Sequence, residues 1–329
     1  MKLNTYQKKF MNSLTGDQLK IGIIGAGRWG KKHIDEYSKM KDAEISWVSD
    51  LKEENLKFCQ ENYKILNVTK DYNDVLSSDI EAVSVCTINQ THFEVCRDAL
   101  NAGKHVLVEK PITLKSKKAY ELVEIAKENK KLLAVGHIFR FNNAINQVKK
   151  LIAQDFFGKL FYLRLQWTTH LYPDKPLDIV VDMMPHAFDI MNYLTGSWPT
   201  KITCFGKDFR DKKLEDTAFV ICEFPNKIMT HSEISWTLPE KVREVDVIGK
   251  KAAAKIQALS QEVTVFEDSN EGKKLDIKAN NTLGDELRHF IDAVKNGTIV
   301  SNDGEIGAKT VELVETTRKS LEQEKTIIL

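Results

Sequence analysis

A run of branched aliphatic residues (Ile21, Ile23, Ile24) gives way to Gly25-Ala26-Gly27-Arg28-Trp29-Gly30 and passes at once into a helical segment over 30–40. Few arrangements accommodate glycines at that spacing. The first allows a tight turn, the second lets backbone approach a phosphate, and the third lets the helix pack closely on the strand. The helix start then offers unpaired N–H groups and a positive dipole end to an anion. A P-loop is the rival, because residues 25–31 also fit G-x-x-x-x-G-K. That loop needs Ser or Thr next to hold Mg²⁺, and position 32 is Lys. The unit that remains is the strand–turn–helix of a doubly wound parallel sheet.

The alternation continues along the chain. Strands are expected over 44–49, 80–87, 105–108 and 132–136, with helices over 91–102, closed by Gly103 as a left-handed cap, and 115–130. After about His137 the pattern changes. A helix over 142–154, a long strand over 159–170 and a helix over 183–194 precede several strands in succession between 202 and about 277, and two helices follow (283–296, 303–323). Strands without intervening helices imply a mostly antiparallel sheet. The expected class is α/β: an arm over 1–18, a Rossmann domain with a doubly wound parallel sheet over 19–137, and an α+β domain with a large open sheet over 138–329.

Composition removes several functions. With 48 Lys+Arg against 47 Asp+Glu the formal net charge is +1, and no dense basic block is present, so a nucleic-acid partner is not expected. No stretch of about 18 apolar residues could span a membrane. Residues 1–20 are polar and lack the apolar core of a secretory signal, which points to the cytoplasm. Five scattered cysteines (Cys59, Cys86, Cys96, Cys204, Cys222) form no C-x-x-C pair, so buried thiols are expected rather than disulfides or zinc ligands.

Asp50 ends the second strand, twenty residues past Gly30. An acid there accepts hydrogen bonds from the adenosine ribose, and its charge would repel a 2′-phosphate, so NAD is expected in preference to NADP. Glu109-Lys110-Pro111 follows the strand over 105–108. Ligands of doubly wound sheets bind beyond the carboxyl ends of the strands, which puts Lys110 where an ammonium can hold a hydroxyl and stabilise a developing alkoxide. Asp182, His186 and Asp189 are spaced i, i+4, i+7, on one face of a helix. Three readings are open: a metal site lacking clear further ligands, a capping Asp with a core His, or an acid/base site.

The glycine loop, Thr87-Ile88-Asn89 with His92, Ala102-Gly103-Lys104-His105-Val106, Glu109-Lys110-Pro111 and D-x-x-x-H together resemble the Gfo/Idh/MocA family of NAD(P)-dependent sugar and cyclitol oxidoreductases, from about Leu19 onward. The resemblance implies that Lys110 is the catalytic lysine, that His186 is the base with Asp182 beside it, and that the bond before Pro111 is cis; for want of further ligands no metal is expected. It implies a cofactor site of Gly25, Gly27, Arg28, Trp29, Gly30, Asp50, Thr87, Asn89, His92, Glu109 and Lys110, with Ile88 standing where the family has proline. The segment from Gly136 to Asn142 and that from Ser235 to Arg243 resemble members acting on nucleotide-activated sugars. On that likeness Arg140, Asn142, His170, Lys241, Asp182 and His186 are expected to contact substrate, with Arg243 able to reach a diphosphate and residues 168–176 bordering the pocket. The implied activity is NAD-dependent oxidation of a secondary hydroxyl of a sugar by a homodimer or homotetramer. A ketosugar reductase, a cyclitol dehydrogenase and a non-catalytic NAD-binding regulator are the alternatives.

Overall fold

The computed structural model describes residues 18–171, 178–210, 213–267 and 271–329. The chain forms two compact units. The first comprises residues up to Glu109 together with Glu121–Ala134 and Glu286–Asp303; the second comprises Lys110–Tyr120, Val135–Asp285 and Gly304–Leu329. The sequence reading placed one division, at 137; the chain changes unit after residues 109, 120, 134, 285 and 303. The expected arm lies outside the described residues except for Gln18.

In the first unit the elements run β1 (Leu19–Ile24), α1 (Arg28–Ser38), β2 (Ala43–Ser49), α2 (Glu53–Tyr63), β3 (Asn67–Thr69), α3 (Tyr72–Leu76), β4 (Ala82–Val85), α4 (His92–Asn101) and β5 (His105–Val108), followed by α5 (Ser116–Glu128) and β6 (Leu133–Val135). The sheet order is β3-β2-β1-β4-β5-β6, the order of a doubly wound dinucleotide-binding fold. β1 is central, parallel to β2 on one side and β4 on the other, and Ile21 and Ile23 are wholly buried there. Burial on both faces is why the strand reads as a continuous apolar run rather than an alternation. α1 sinks Gly30, His33, Ile34 and Tyr37, one face at i, i+3, i+4, i+7.

The second unit continues with α6 (Asn143–Ala153), β7 (Leu160–Thr168), α7 (Ile179–Thr195), β8 (Lys201–Lys207), β9 (Thr217–Glu223), β10 (Met229–Ser235), β11 (Val242–Gly249), β12 (Ala253–Gln257), β13 (Glu262–Phe266) and β14 (Lys273–Lys274). α8 (Thr282–Asn296) runs on into the first unit, and α9 (Gly304–Glu322) and β15 (Ile327–Ile328) close the chain. Nine strands order as β14-β13-β12-β11-β7-β10-β9-β8-β15, antiparallel apart from the β7–β10 pair. α7 and α9 cover one face, over a core that includes Leu163, Leu165, Trp167, Phe188, Val220 and Trp236. All five cysteines are buried as free thiols. No helix among the described residues is long and apolar enough to cross a membrane.

Candidate active site

The glycine loop sits at the carboxyl end of β1, and each glycine answers a different constraint. Gly25 has φ +92°, and a Cβ there would lie 2.8 Å from the Cys86 carbonyl carbon. A Cβ on Gly30 would stand 1.9 Å from the Gly25 oxygen, so helix and turn could not close together. Gly27 differs, because a Cβ there meets no atom within 4 Å. The space before it is open, which is the clearance a pyrophosphate needs against the start of α1.

That loop borders a cleft of about 780 Å³ within the first unit, lined among others by Gly25, Gly27, Arg28, Trp29, Asp50 and Thr87. Asp50 accepts from the Ala26 N–H at 2.7 Å and from the Lys52 N–H at 2.8 Å, so it ties the end of β2 to the glycine turn. Each carboxylate oxygen keeps a second lone pair, enough to accept from two ribose hydroxyls. The residues therefore fit NAD. Lys52 also lines the cleft, as do Asn55, Lys70 and Tyr72, which were not anticipated. Lys70 and Tyr72 come from the α2–β3–α3 segment, which gave no readable pattern.

Some of the other residues expected at the cofactor site hold the frame of the cleft. His92 is wholly buried, and its Nε2 donates to the Thr87 carbonyl at 3.1 Å, which fixes the loop after β4. Gly30 is a packing glycine. Glu109 is 7% exposed and meets His33 Nε2 at 3.1 Å. Asn89, half-buried in the short turn Asn89–Thr91, is not among the lining residues. Lys110 belongs to the second unit.

Lys110 opens that second unit and is joined to Pro111 by a cis bond, as the resemblance implied. Its Nζ donates to the Asp182 carbonyl at 2.8 Å and to Asp182 Oδ1 at 3.0 Å. Asp182 lies in the first turn of α7, whose start is capped by Asp178 accepting from the Val180 and Val181 N–H groups. Asp182 thus orients the amine rather than the imidazole. The His186 ring packs edge-on against Phe139, centroids 5.2 Å apart at 89°, and Phe139 in turn against Trp167 at 5.1 Å. Burial holds the His186 pKa well below 6.5, and the charges of Lys110, His137 and Arg243 lower it further. A neutral imidazole beside an ammonium can take a proton while the ammonium steadies an oxyanion.

Arg243 adds a second cation. Its Nη1 donates to the Thr168 and Val242 carbonyls at 2.8 and 2.7 Å, and its guanidinium lies 5.6 Å from the Trp167 ring centroid. Desolvation lowers its pKa to about 10 against the opposing pull of Asp182. The third member of the expected helix face, Asp189, is elsewhere: it is 1% exposed and pairs with Arg140 Nε at 2.5 Å.

Two expected substrate contacts are therefore occupied within the core. Arg140, 8% exposed, is held by Asp189 and by Asn192 Oδ1 at 2.9 Å, which leaves its fork facing protein rather than ligand. Asn142 caps α6, accepting from the Ala144 and Ile145 N–H groups while donating to the Ala258 carbonyl. His170 and Lys241 are exposed, as a ligand contact requires. Of the expected pocket border, residues 172–176 lie outside the described residues. Among the described residues no three His, Cys, Asp or Glu side chains gather as a metal site.

The family model described as an oxidoreductase family with an NAD-binding Rossmann fold matches residues 19–137, and the Gfo/Idh/MocA C-terminal domain matches 145–255. UDP-N-acetylglucosamine 3-dehydrogenase of Acidithiobacillus ferrooxidans is 27% identical over 308 residues, 89% of this chain and 94% of that protein. A solved structure of that enzyme matches with TM-score 0.84 at 25% identity, covering 93% of this chain and 98% of the other. Myo-inositol 2-dehydrogenase of Thermotoga maritima is 26% identical over 332 residues, 94% of this chain and 98% of that protein. With the two models falling in order on the glycine-loop unit and on the sheet that follows it, the chain belongs to the Gfo/Idh/MocA family and is an NAD-dependent oxidoreductase acting on the CH–OH group of its donor.

Proposed function

We propose that the chain oxidises a secondary hydroxyl of a nucleotide-linked sugar to the ketone. The observation that carries this reading is the placement of Lys110 on Asp182 within a site whose histidine, His186, is held neutral. The Lys110 ammonium donates to the reacting oxygen and stabilises its negative charge as it builds. His186 accepts the hydroxyl proton and becomes imidazolium. Asp182 keeps the amine aimed, and Phe139 keeps the ring from turning. NAD, when bound, supplies the acceptor for the hydride leaving carbon. Proton, hydride and electron pair are then accounted for: the products are a ketone, NADH and a protonated base.

The nucleotide-linked class is favoured by the A. ferrooxidans relative, which acts on UDP-N-acetylglucosamine, and by the cations Lys241 and Arg243, which suit a diphosphate. A cyclitol is the second reading, favoured by the T. maritima relative. Retention of both Lys110 and His186 argues against a regulator that only binds NAD. A homodimer or homotetramer in the cytoplasm is part of the proposal. NADH formation from NAD⁺ with a panel of UDP-sugars, free hexoses and inositols, with mass-spectrometric identification of the ketone, tests it. Turnover confined to UDP-sugars is expected. Turnover confined to inositols would replace the substrate class, and NADH binding without turnover on any member would favour the regulator.

A further inference from the structure

We propose that His33 is a positioning residue for the Lys110 amine, acting through Glu109. His33 is 1% exposed, on the buried face of α1, and its Nε2 lies 3.1 Å from Glu109 Oε1. Its other nitrogen, Nδ1, has no hydrogen-bond partner among the described residues. A buried histidine–carboxylate pair is weak evidence for stability, since apolar residues of similar volume can pack as well without the desolvation cost. What the pair supplies is direction. The Glu109 N–H is already tied to the Val85 carbonyl at 3.0 Å, so the His33 contact fixes the residue through its side chain as well.

The location gives that fixation its consequence. Glu109 is the last residue of the first unit's opening segment, and Lys110 is the first residue of the second unit. One peptide bond separates a side chain anchored to His33 from a side chain anchored to Asp182. α1, which begins at the Gly27 turn, is thereby linked by a single hydrogen bond to the strand end that delivers the amine. The Glu109 carboxylate meets His33 and is not among the residues lining the dinucleotide cleft. His33 itself exchanges no proton with substrate.

The inference rests on Lys110 being the reacting amine, as proposed above, and the test separates the two claims. His33→Leu and His33→Gln are compared in the full chain by kcat, by KM for NAD⁺, by fluorescence titration of NADH, and by the rate at which acetic anhydride acylates Lys110, read by peptide mass spectrometry. His33→Leu should lower kcat about 10–100-fold, the scale of a sub-ångström to ångström misplacement, with KM and NADH affinity within about threefold. Lys110 acylation should quicken at least about threefold, the scale of a partly released hydrogen bond. His33→Gln should stay near wild type, because its amide can donate to the same carboxylate oxygen. Unchanged acylation in His33→Leu, or a Gln variant as impaired as the Leu variant, overturns the positioning role. Faster acylation with unchanged kcat overturns instead the assignment of Lys110. Should His33→Leu fail to fold, Glu109→Gln, which keeps an acceptor, and Glu109→Met, which does not, provide the same contrast. Equal behaviour of those two also overturns the proposal.

Discussion

Lys110 Nζ is bonded twice to one residue, to the Asp182 carbonyl at 2.8 Å and to its carboxylate at 3.0 Å. Two acceptors fix the direction of the third ammonium proton, which is the one left for substrate. Pro185, inside α7, lacks the N–H that would bond the Val181 carbonyl, so one hydrogen bond is missing from the helix ladder between Asp182 and His186. The helix that presents both polar groups is thus the one whose backbone ladder is interrupted beside them.

Asp50 sets the cofactor preference. NADH should bind at least about tenfold more tightly than NADPH, since confronting a carboxylate with a 2′-phosphate costs more than about 1.4 kcal/mol. Asp50→Ala should narrow that ratio and also weaken NADH, because the glycine turn loses its tether at Ala26. Equal fluorescence-titration affinities in the wild type would be the contrary result.

His186 sets the pH dependence of oxidation. A base is competent when deprotonated, and burial together with Lys110, His137 and Arg243 lowers this one below 6.5. The acid limb of kcat/KM should accordingly fall below pH 6.5 rather than at it, and should be missing in His186→Ala. A wild-type limb centred at or above 6.5, or a limb that survives the substitution, would assign the proton to another group.

Arg140 should prove a stability residue. Arg140→Met leaves Asp189 buried without its cation, a loss of about 3–5 kcal/mol in comparable pairs. Urea denaturation should register that loss, while KM for substrate in the folded fraction stays within about twofold, as uniform binding is not touched. A large rise in KM with unchanged stability would restore the ligand-binding role that its motif suggests.

The open face of the second unit's sheet carries Phe205 opposite Phe219, Ile221 opposite His231, and Met229 opposite Tyr162. Phe205 is 61% and Met229 52% exposed. Apolar area of that kind on a monomer marks a binding surface, and a second copy of the chain is its expected occupant. Sedimentation at micromolar concentration should show a dimer or tetramer, dissociated by Met229→Asp with Phe219→Asp. A wild-type monomer would contradict this.

The glycine loop was legible because its constraints are local: a positive φ at Gly25 and a 1.9 Å approach at Gly30 leave no other residue possible. β5 and α4, with Gly103 at φ +72°, were legible for the same reason. α2 and β3 were not, because the helix sinks only Asn55, Leu56 and Cys59 and the strand is three residues long. The sequence reading also placed the start of α7 near Met183. Asp178 caps the helix earlier, and tertiary packing tolerates Pro185 in its interior. Arg140 and Asn142 were misjudged for a different reason. Their partners, Asp189 and Ala258, lie 49 and 116 residues away, beyond any spacing argument.

The amine of Lys110 is the centre of the proposed chemistry, and Lys110→Ala examined by kcat/KM alongside NADH titration tests it most directly. Loss of an oxyanion donor or positioned acid/base group costs roughly 10²–10⁴ in rate, and that fall is expected with NADH affinity held within a few-fold. Activity retained in Lys110→Ala, or NADH binding lost along with it, would contradict a lysine that acts on the reacting oxygen.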